Sequence, residues 1–293
     1  MTASPFRCVL DLKASLGECP VWSVAEQALY FVDINAPSLH RYEPESGAHR
    51  AMPMPAAIGS FGLRARGGFV VALRDGVWLA DAQGKLERRI ADAPYDPAHH
   101  RFNDGRVDRQ GRFWVGSMNE NRDANTGALY RLDPAAGALD PVIDDIMISN
   151  GLAWSPDGRT MYHADTPTRT VRAFAYDGAT GTPSSPRVHA RWDGETDRPD
   201  GGAVDSAGHY WTAFYRGGRV VELDGGGRTV REVPVPAMCP TMCAFGGADL
   251  RTLFVTSARQ ERAPDELARL PQSGGVFALR VDVPGLPEPT YAG

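Results

Sequence analysis

Six stretches of this chain open alike and recur at an even spacing, and that pattern limits the fold more than any other feature of the sequence. Residues 150–162 read NGLAWSPDGRTMY and residues 200–212 read DGGAVDSAGHYWT. Each opens on a polar residue and a glycine, then runs through a short apolar strand. A turn glycine follows eight positions on (Gly158, Gly208), ahead of an aromatic-bearing strand. NDGRVDRQGRFWV (103–115) and SFGLRARGGFVVA (60–72) repeat the layout with Gly111 and Gly68. ECPVWSVAEQALY (18–30) fits without the turn glycine, and MCAFGGADLRTLF (242–254) fits more loosely.

The units start near 18, 60, 103, 150, 200 and 242, a spacing of 42–50 residues. Four-stranded propeller blades have this period. Each unit continues into another strand and a turn, as in LHRYEPESG, GALYRLDPAAG and GRVVELDGGG, which is hairpin chemistry. The spacing predicts an all-β chain: a six-bladed β-propeller of four-stranded antiparallel blades, with 1–293 as one domain. The leading FRCVLDLK (6–13) belongs to no complete unit. It is expected to join the last blade beside GGVFALRVD and so close the ring, which protects the sheet edges. One short helix is expected, over Pro264–Leu270, where Asp265 and Glu266 suit a first turn.

Composition excludes some partners. The net charge is −5 with no block of like charges, which argues against nucleic acid and anionic membranes. No charged leader with an apolar core opens the chain, and no apolar run reaches membrane-helix length. Cys8, Cys19, Cys239 and Cys243 have neither zinc-knuckle nor CxxC spacing and read as reduced, buried thiols. A cytoplasmic protein, monomeric or weakly oligomeric, is expected. Trp22, Trp114, Trp154 and Trp211 fall at strand positions and read as blade core. His99-His100 is an unpromising metal pair, because neighbours in an extended segment point apart.

The first strand of each blade lines the central channel, so residues at one phase share one height around one axis. That phase holds Glu18, Ser60, Asn103, Asn150, Asp200 and Met242. Four of the six offer a carboxylate or amide oxygen, which is unusual for strand starts facing a core. Two carboxylates about 4 Å apart repel by about 4 kcal/mol at an effective dielectric near 20, and a divalent cation reverses the sign. Glu18, Asn150 and Asp200 form an all-oxygen set suited to a hard cation, calcium first, with magnesium, manganese or zinc as alternatives. Three protein ligands leave positions open for water and substrate. Asn-Gly and Asp-Gly are also common turn dipeptides, and it is the shared phase that singles these out.

The stretches LGECPVW (16–22), RFNDGRVDRQGRFWVGSM (101–118), ISNGLAWSPDGRTMYHADT (148–166) and RPDGGAVDSAGHYWTAFYRGGRV (198–220) occur in that order, followed by FGGADLRTLFVTSAR (245–259). Together they resemble the senescence-marker-protein/gluconolactonase/regucalcin-like family. The resemblance implies a six-bladed propeller with one divalent metal at the channel mouth, on the residues matching Glu18, Asn150 and Asp200. It implies hydrolysis of sugar lactones, with the residues matching Arg101 and Asn103 touching substrate. The family often places a substrate-touching glutamate shortly after a G-T-M segment. Here that segment is Gly-Ser-Met, and Glu120 or Asn121 takes the position.

The expected chemistry is metal-assisted ester hydrolysis. Asp200 would be both ligand and general base, Arg101 would hold sugar hydroxyls with its planar fork, and Asp104 would orient the site. The polar insertions 119–126 and 260–272 are candidate cavity walls. Two other readings stay open: hydrolysis of a non-sugar lactone, ester or phosphotriester, and a non-catalytic calcium-binding propeller.

Overall fold

Every repeat unit becomes one sheet because its first two strands are buried on both faces. Strands Gly17–Ser23, Phe113–Asn119 and Tyr210–Phe214 are buried along their whole length. The outermost strand of the first sheet, His49–Pro53, buries only Met52. A strand covered on both faces has no use for polar alternation, whereas an outer strand facing water does.

The computed structural model describes residues 4–293; of the span 1–293 expected as one domain, residues 1–3 lie outside the described residues. It contains six four-stranded antiparallel sheets. Five follow chain order, the first running Gly17–Ser23, Ala28–Asp33, Ser38–Tyr42, His49–Pro53. The sixth takes Cys239–Gly246, Thr252–Ala258 and Val276–Arg280, and adds the N-terminal strand Arg7–Leu10, with Arg7 opposite Ala278. The six-bladed propeller and its closure by the N-terminal strand are as expected. The helix spans Pro264–Arg269.

The inner strands are Gly17–Ser23, Ile58–Leu63, His100–Val107, Ser149–Trp154, Pro199–Val204 and Cys239–Gly246. Each packs on the next and the last packs on the first. All six break register next to the phase-zero residue, for example between Glu18 and Val21, Phe102 and Gly105, Asn150 and Ala153, and Pro199 and Gly202. Such a bulge leaves residues outside the ladder and re-aims their side chains. This accounts for a polar residue and a glycine at the head of a core strand. Gly151 sits at φ +65, and a Cβ there would lie 2.4 Å from the Tyr210 hydroxyl, which donates to the Gly151 carbonyl at 2.8 Å. Only glycine meets both demands.

One end of the channel is covered. Arg106, at the far end of the strand that begins near Arg101, pairs with Glu288 of the C-terminal segment and donates to the Gly202 carbonyl at 2.9 Å. The other end carries the phase-zero residues. Trp22, Trp114 and Trp211 are buried blade core, and Trp154 is half-buried against Trp114 at 5.9 Å. All four cysteines are free: three are buried and Cys8 is half-buried. Among the described residues no helix is long and apolar enough to cross a membrane.

Candidate functional site

The uncovered channel end opens into a cavity of about 500 Å³, the open space at its mouth included. Glu18, Asn150 and Asp200 line its floor with Asn103 and Arg101, all five less than a tenth exposed. The bulge brings them there from four different blades. Leu16, Met118, Ile148 and Tyr215 supply apolar wall.

The polar side chains form a directed chain. Arg101 Nη1 donates to the Phe102 carbonyl at 2.9 Å and to Asn103 Oδ1 at 2.8 Å. Asn103 Nδ2 donates to the Ser149 carbonyl and to Asn150 Oδ1, both at 2.9 Å. Asn150 Nδ2 donates to Thr166 Oγ1 at 2.7 Å, and that hydroxyl donates to the Pro199 carbonyl at 2.7 Å. Thr166 therefore consumes the amide nitrogen of Asn150, and its own donor holds the backbone beside Asp200. Asn150 Oδ1 keeps one lone pair beyond the Asn103 contact.

The floor is electrostatically strained. Burial, then the nearby Asp104, pushes the Glu18 carboxyl up to about 8, against a single backbone donor from Cys19 at 3.0 Å. Burial, then Glu18 and Asp104, raises Asp200 well above the usual carboxylate range. Asp104 is itself raised by burial; its Oδ2 accepts from the Leu152 N–H at 3.1 Å, while the buried Oδ1 has no partner. It is thus part of this acidic cluster rather than a solvated turn carboxylate. Arg101 acts on Glu18 and Asp200 and Arg106 on Asp104, but burial outweighs both, so the three carboxylates are only partly compensated, and the exposed donor atoms are all oxygen. A hard divalent cation fits this set.

Glu120 and Asn121 do not line the cavity. Arg74 clasps Glu120 at 2.6 and 2.9 Å, and Glu120 stands 3.6 Å from Arg101 Nε, so it reaches the cavity through Arg101. The Asn121 N–H donates to Asn119 Oδ1 at 2.9 Å. Each polar insertion contributes one wall residue, Arg122 and Gln260. His99 is exposed and His100 bonds Thr126 at 2.8 Å, so they form no metal pair. A separate group, Asp205, His209 and Glu222, lies outside this cavity. Its atoms are already engaged: His209 Nδ1 contacts Glu222 at 2.7 Å, Arg231 pairs with Glu222 at 2.6 Å, and the Trp211 indole donates to Asp205 at 3.0 Å.

The SMP-30/Gluconolactonase/LRE-like region matches residues 16–259, most of the chain and every inner strand. The chain belongs to the SMP-30/gluconolactonase/LRE-like family. Among its members, a 6-deoxy-6-sulfogluconolactonase of Pseudomonas putida is 50% identical over 98% of both chains. A regucalcin of Oryctolagus cuniculus is 36% identical over the full length of both. The crystal structure of a calcium-binding protein, regucalcin, from Agrobacterium tumefaciens superposes with a TM-score of 0.93 at 30% identity, covering 99% of this chain and 97% of that one.

Within this family member, sequence reasoning missed Thr166, Arg122 and Arg198. Thr166 does carry a signal, since it ends the HADT run that returns antiparallel to Asn150. Arg198 stands two residues before Asp200 as Arg101 stands two before Asn103, so its repeat phase was a signal, whereas Arg122 lies in the 119–126 insertion at no repeat phase.

Proposed function

We propose that this protein hydrolyses a sugar lactone to the open-chain acid, with a divalent cation, calcium first, held by Glu18, Asn150 and Asp200. The observation that carries the reading is the acidic floor joined by direct hydrogen bonds to the Arg101–Asn103 arm. The lactonase relative at 50% identity supports the substrate class, and the calcium-binding relative supports the cation. Bound there, the cation supplies a Lewis acid and offsets the floor's negative charge.

The protein's own groups do the rest. Asp200 accepts the proton of the attacking water at a carboxylate oxygen. Water adds to the lactone carbonyl carbon, the bond to the ring oxygen breaks, and the proton held by Asp200 goes to that departing oxygen. Arg101 is fixed through Nη1, so its Nη2 N–H groups face a bound hydroxyl or carbonyl oxygen with little ordering cost. Leu16, Ile148 and Tyr215 limit the water around the reacting carbon. The arm favours a hydroxylated substrate, because a buried arginine left without acceptors by an apolar ester would be penalised.

Two measurements test this. Chelator-stripped protein is expected to regain hydrolysis of aldonolactones on addition of one divalent metal, and its melting temperature should rise with calcium concentration. Calcium at a hundred times its Kd would add about 2.7 kcal/mol. A calcium-dependent rise in melting temperature with no hydrolysis of any lactone would instead favour the calcium-binding reading. Thr166→Val is expected to weaken calcium binding about 10- to 100-fold, because the freed Asn150 amide can rotate. Calorimetric titration, with strand content checked by circular dichroism, reads this directly. Wild-type affinity in the variant would mean that Thr166 does not orient Asn150.

A further inference from the structure

The cavity carries opposite charges at its two ends. Its floor holds Glu18 and Asp200, while its mouth holds Arg122 and Arg198, one exposed and one half-buried. This happens in a chain whose net charge is −5. Building on the lactonase reading, and on the sulfonated substrate that the Pseudomonas putida relative's name gives, we propose that Arg122 and Arg198 are the residues that select a lactone bearing a tetrahedral oxyanion, a sulfonate or phosphate.

Among the described residues neither arginine forms an ion pair. Several acids on the neighbouring loops are engaged elsewhere: Glu120 on Arg74 at 2.6 Å, Asp123 on the Asn119 amide at 2.8 Å, Asp197 on Arg219 at 2.5 Å and Glu261 on Arg216 at 3.4 Å. Arg198 commits only Nε, to the Glu195 carbonyl at 3.3 Å. Its charged neighbours are further guanidiniums, and burial followed by Arg216, Arg169 and Arg122 lowers its proton affinity. Arg101 is less available, because Nη1 is bound to Asn103 and Nε faces Glu120, which leaves Nη2 for the lactone's own oxygens.

The backbone holds Arg122 in place. It sits at φ +58, a left-handed conformation uncommon for a non-glycine residue. Asn119 braces the loop around it, accepting from the Asn121 N–H and donating to Asp123 and to the Ala124 carbonyl. Arg122 lines the cavity and adds like charge to Arg198, a gathering that is unfavourable without a ligand. An oxyanion reverses the sign, and planar guanidinium forks match a sulfonate or phosphate. In a six-membered aldonolactone the exocyclic carbon can carry such a group without displacing a ring hydroxyl.

The test compares kcat/KM for glucono-1,5-lactone, its 6-phospho derivative and its 6-deoxy-6-sulfo derivative. The proteins are the metal-loaded wild type, Arg122→Gln, Arg198→Gln and the double variant. Calorimetry with the corresponding open-chain acids runs in parallel. The wild type should favour a charged lactone over the neutral one by about 10- to 100-fold, and each substitution should cut that ratio about tenfold, as a lost charged hydrogen bond does. The preference should shrink in high salt. Comparing the phospho and sulfo arms identifies which oxyanion is read. Equal rates on charged and neutral lactones, or a ratio unmoved in the double variant, overturn the inference and leave the lactonase reading standing. No hydrolysis at all, with arginine-dependent binding of the charged acids, overturns the lactonase reading and leaves the anion site standing.

Discussion

Asp200→Asn is expected to fold like the wild-type chain and to lose at least about a thousandfold in kcat, the upper range of what a positioned general base contributes. The substitution keeps the shape and removes one charge. In the folded chain that charge is held at a cost: Asp200 is 6% exposed, and burial, Glu18 and Asp104 all disfavour its ionised form. A carboxyl whose folded pKa is raised opposes folding once pH exceeds its ordinary range. The cation-free variant should therefore melt no lower than the cation-free wild type at neutral pH. Two readouts separate its roles. Lost turnover with retained calcium binding assigns Asp200 as the base. Loss of both makes cation binding its main contribution. Wild-type kcat would exclude it as the base.

The floor was legible in the sequence because inner strands turn repeat phase into position. Glu18, Asn103, Asn150 and Asp200 stand at one phase, and the common bulge brings them to one cavity floor. Two phase mates, Ser60 and Met242, are buried without lining that cavity, so phase fixes height and not role. The mouth was legible only in part: Arg198 stands two residues before Asp200 as Arg101 stands before Asn103, whereas Arg122 comes from an irregular connection whose course depends on tertiary contacts. Glu120 shows the same limit: its charge was visible, but its capture by Arg74, 46 residues earlier, was not. Asp104-Gly105 looked like a turn dipeptide and is buried within a strand, since neighbouring blades cover both faces there.

A second large effect is expected far from the cavity. Asp108→Ala should cost about 3–5 kcal/mol, the penalty for leaving a buried charged partner alone. Asp108 is 1% exposed and stands five residues after Asn103, as Asp205 stands five after Asp200. It accepts from the N–H groups of Gln110 at 2.9 Å and Arg112 at 3.0 Å, which closes the turn ahead of the second strand. Its other oxygen takes Arg112 Nε at 2.7 Å, the Trp114 indole at 2.9 Å and the Tyr176 hydroxyl at 2.8 Å. Tyr176 belongs to the next blade, so one carboxylate ties turn, blade core and blade interface together. Asp81 makes the same backbone turn, accepting from Gln83 and Lys85 at 2.9 Å each, but in an exposed setting. Asp81→Ala should cost only about 1 kcal/mol, the net value of ordinary hydrogen bonds. Urea midpoints at constant m read both differences. Equal losses would mean that turn closure, not the buried donors, sets the contribution of this aspartate. A larger loss for Asp108 would show that the glycine-marked turn of the repeat doubles as a strut between blades, and that the buried acid five residues into the unit belongs to the fold rather than to the chemistry.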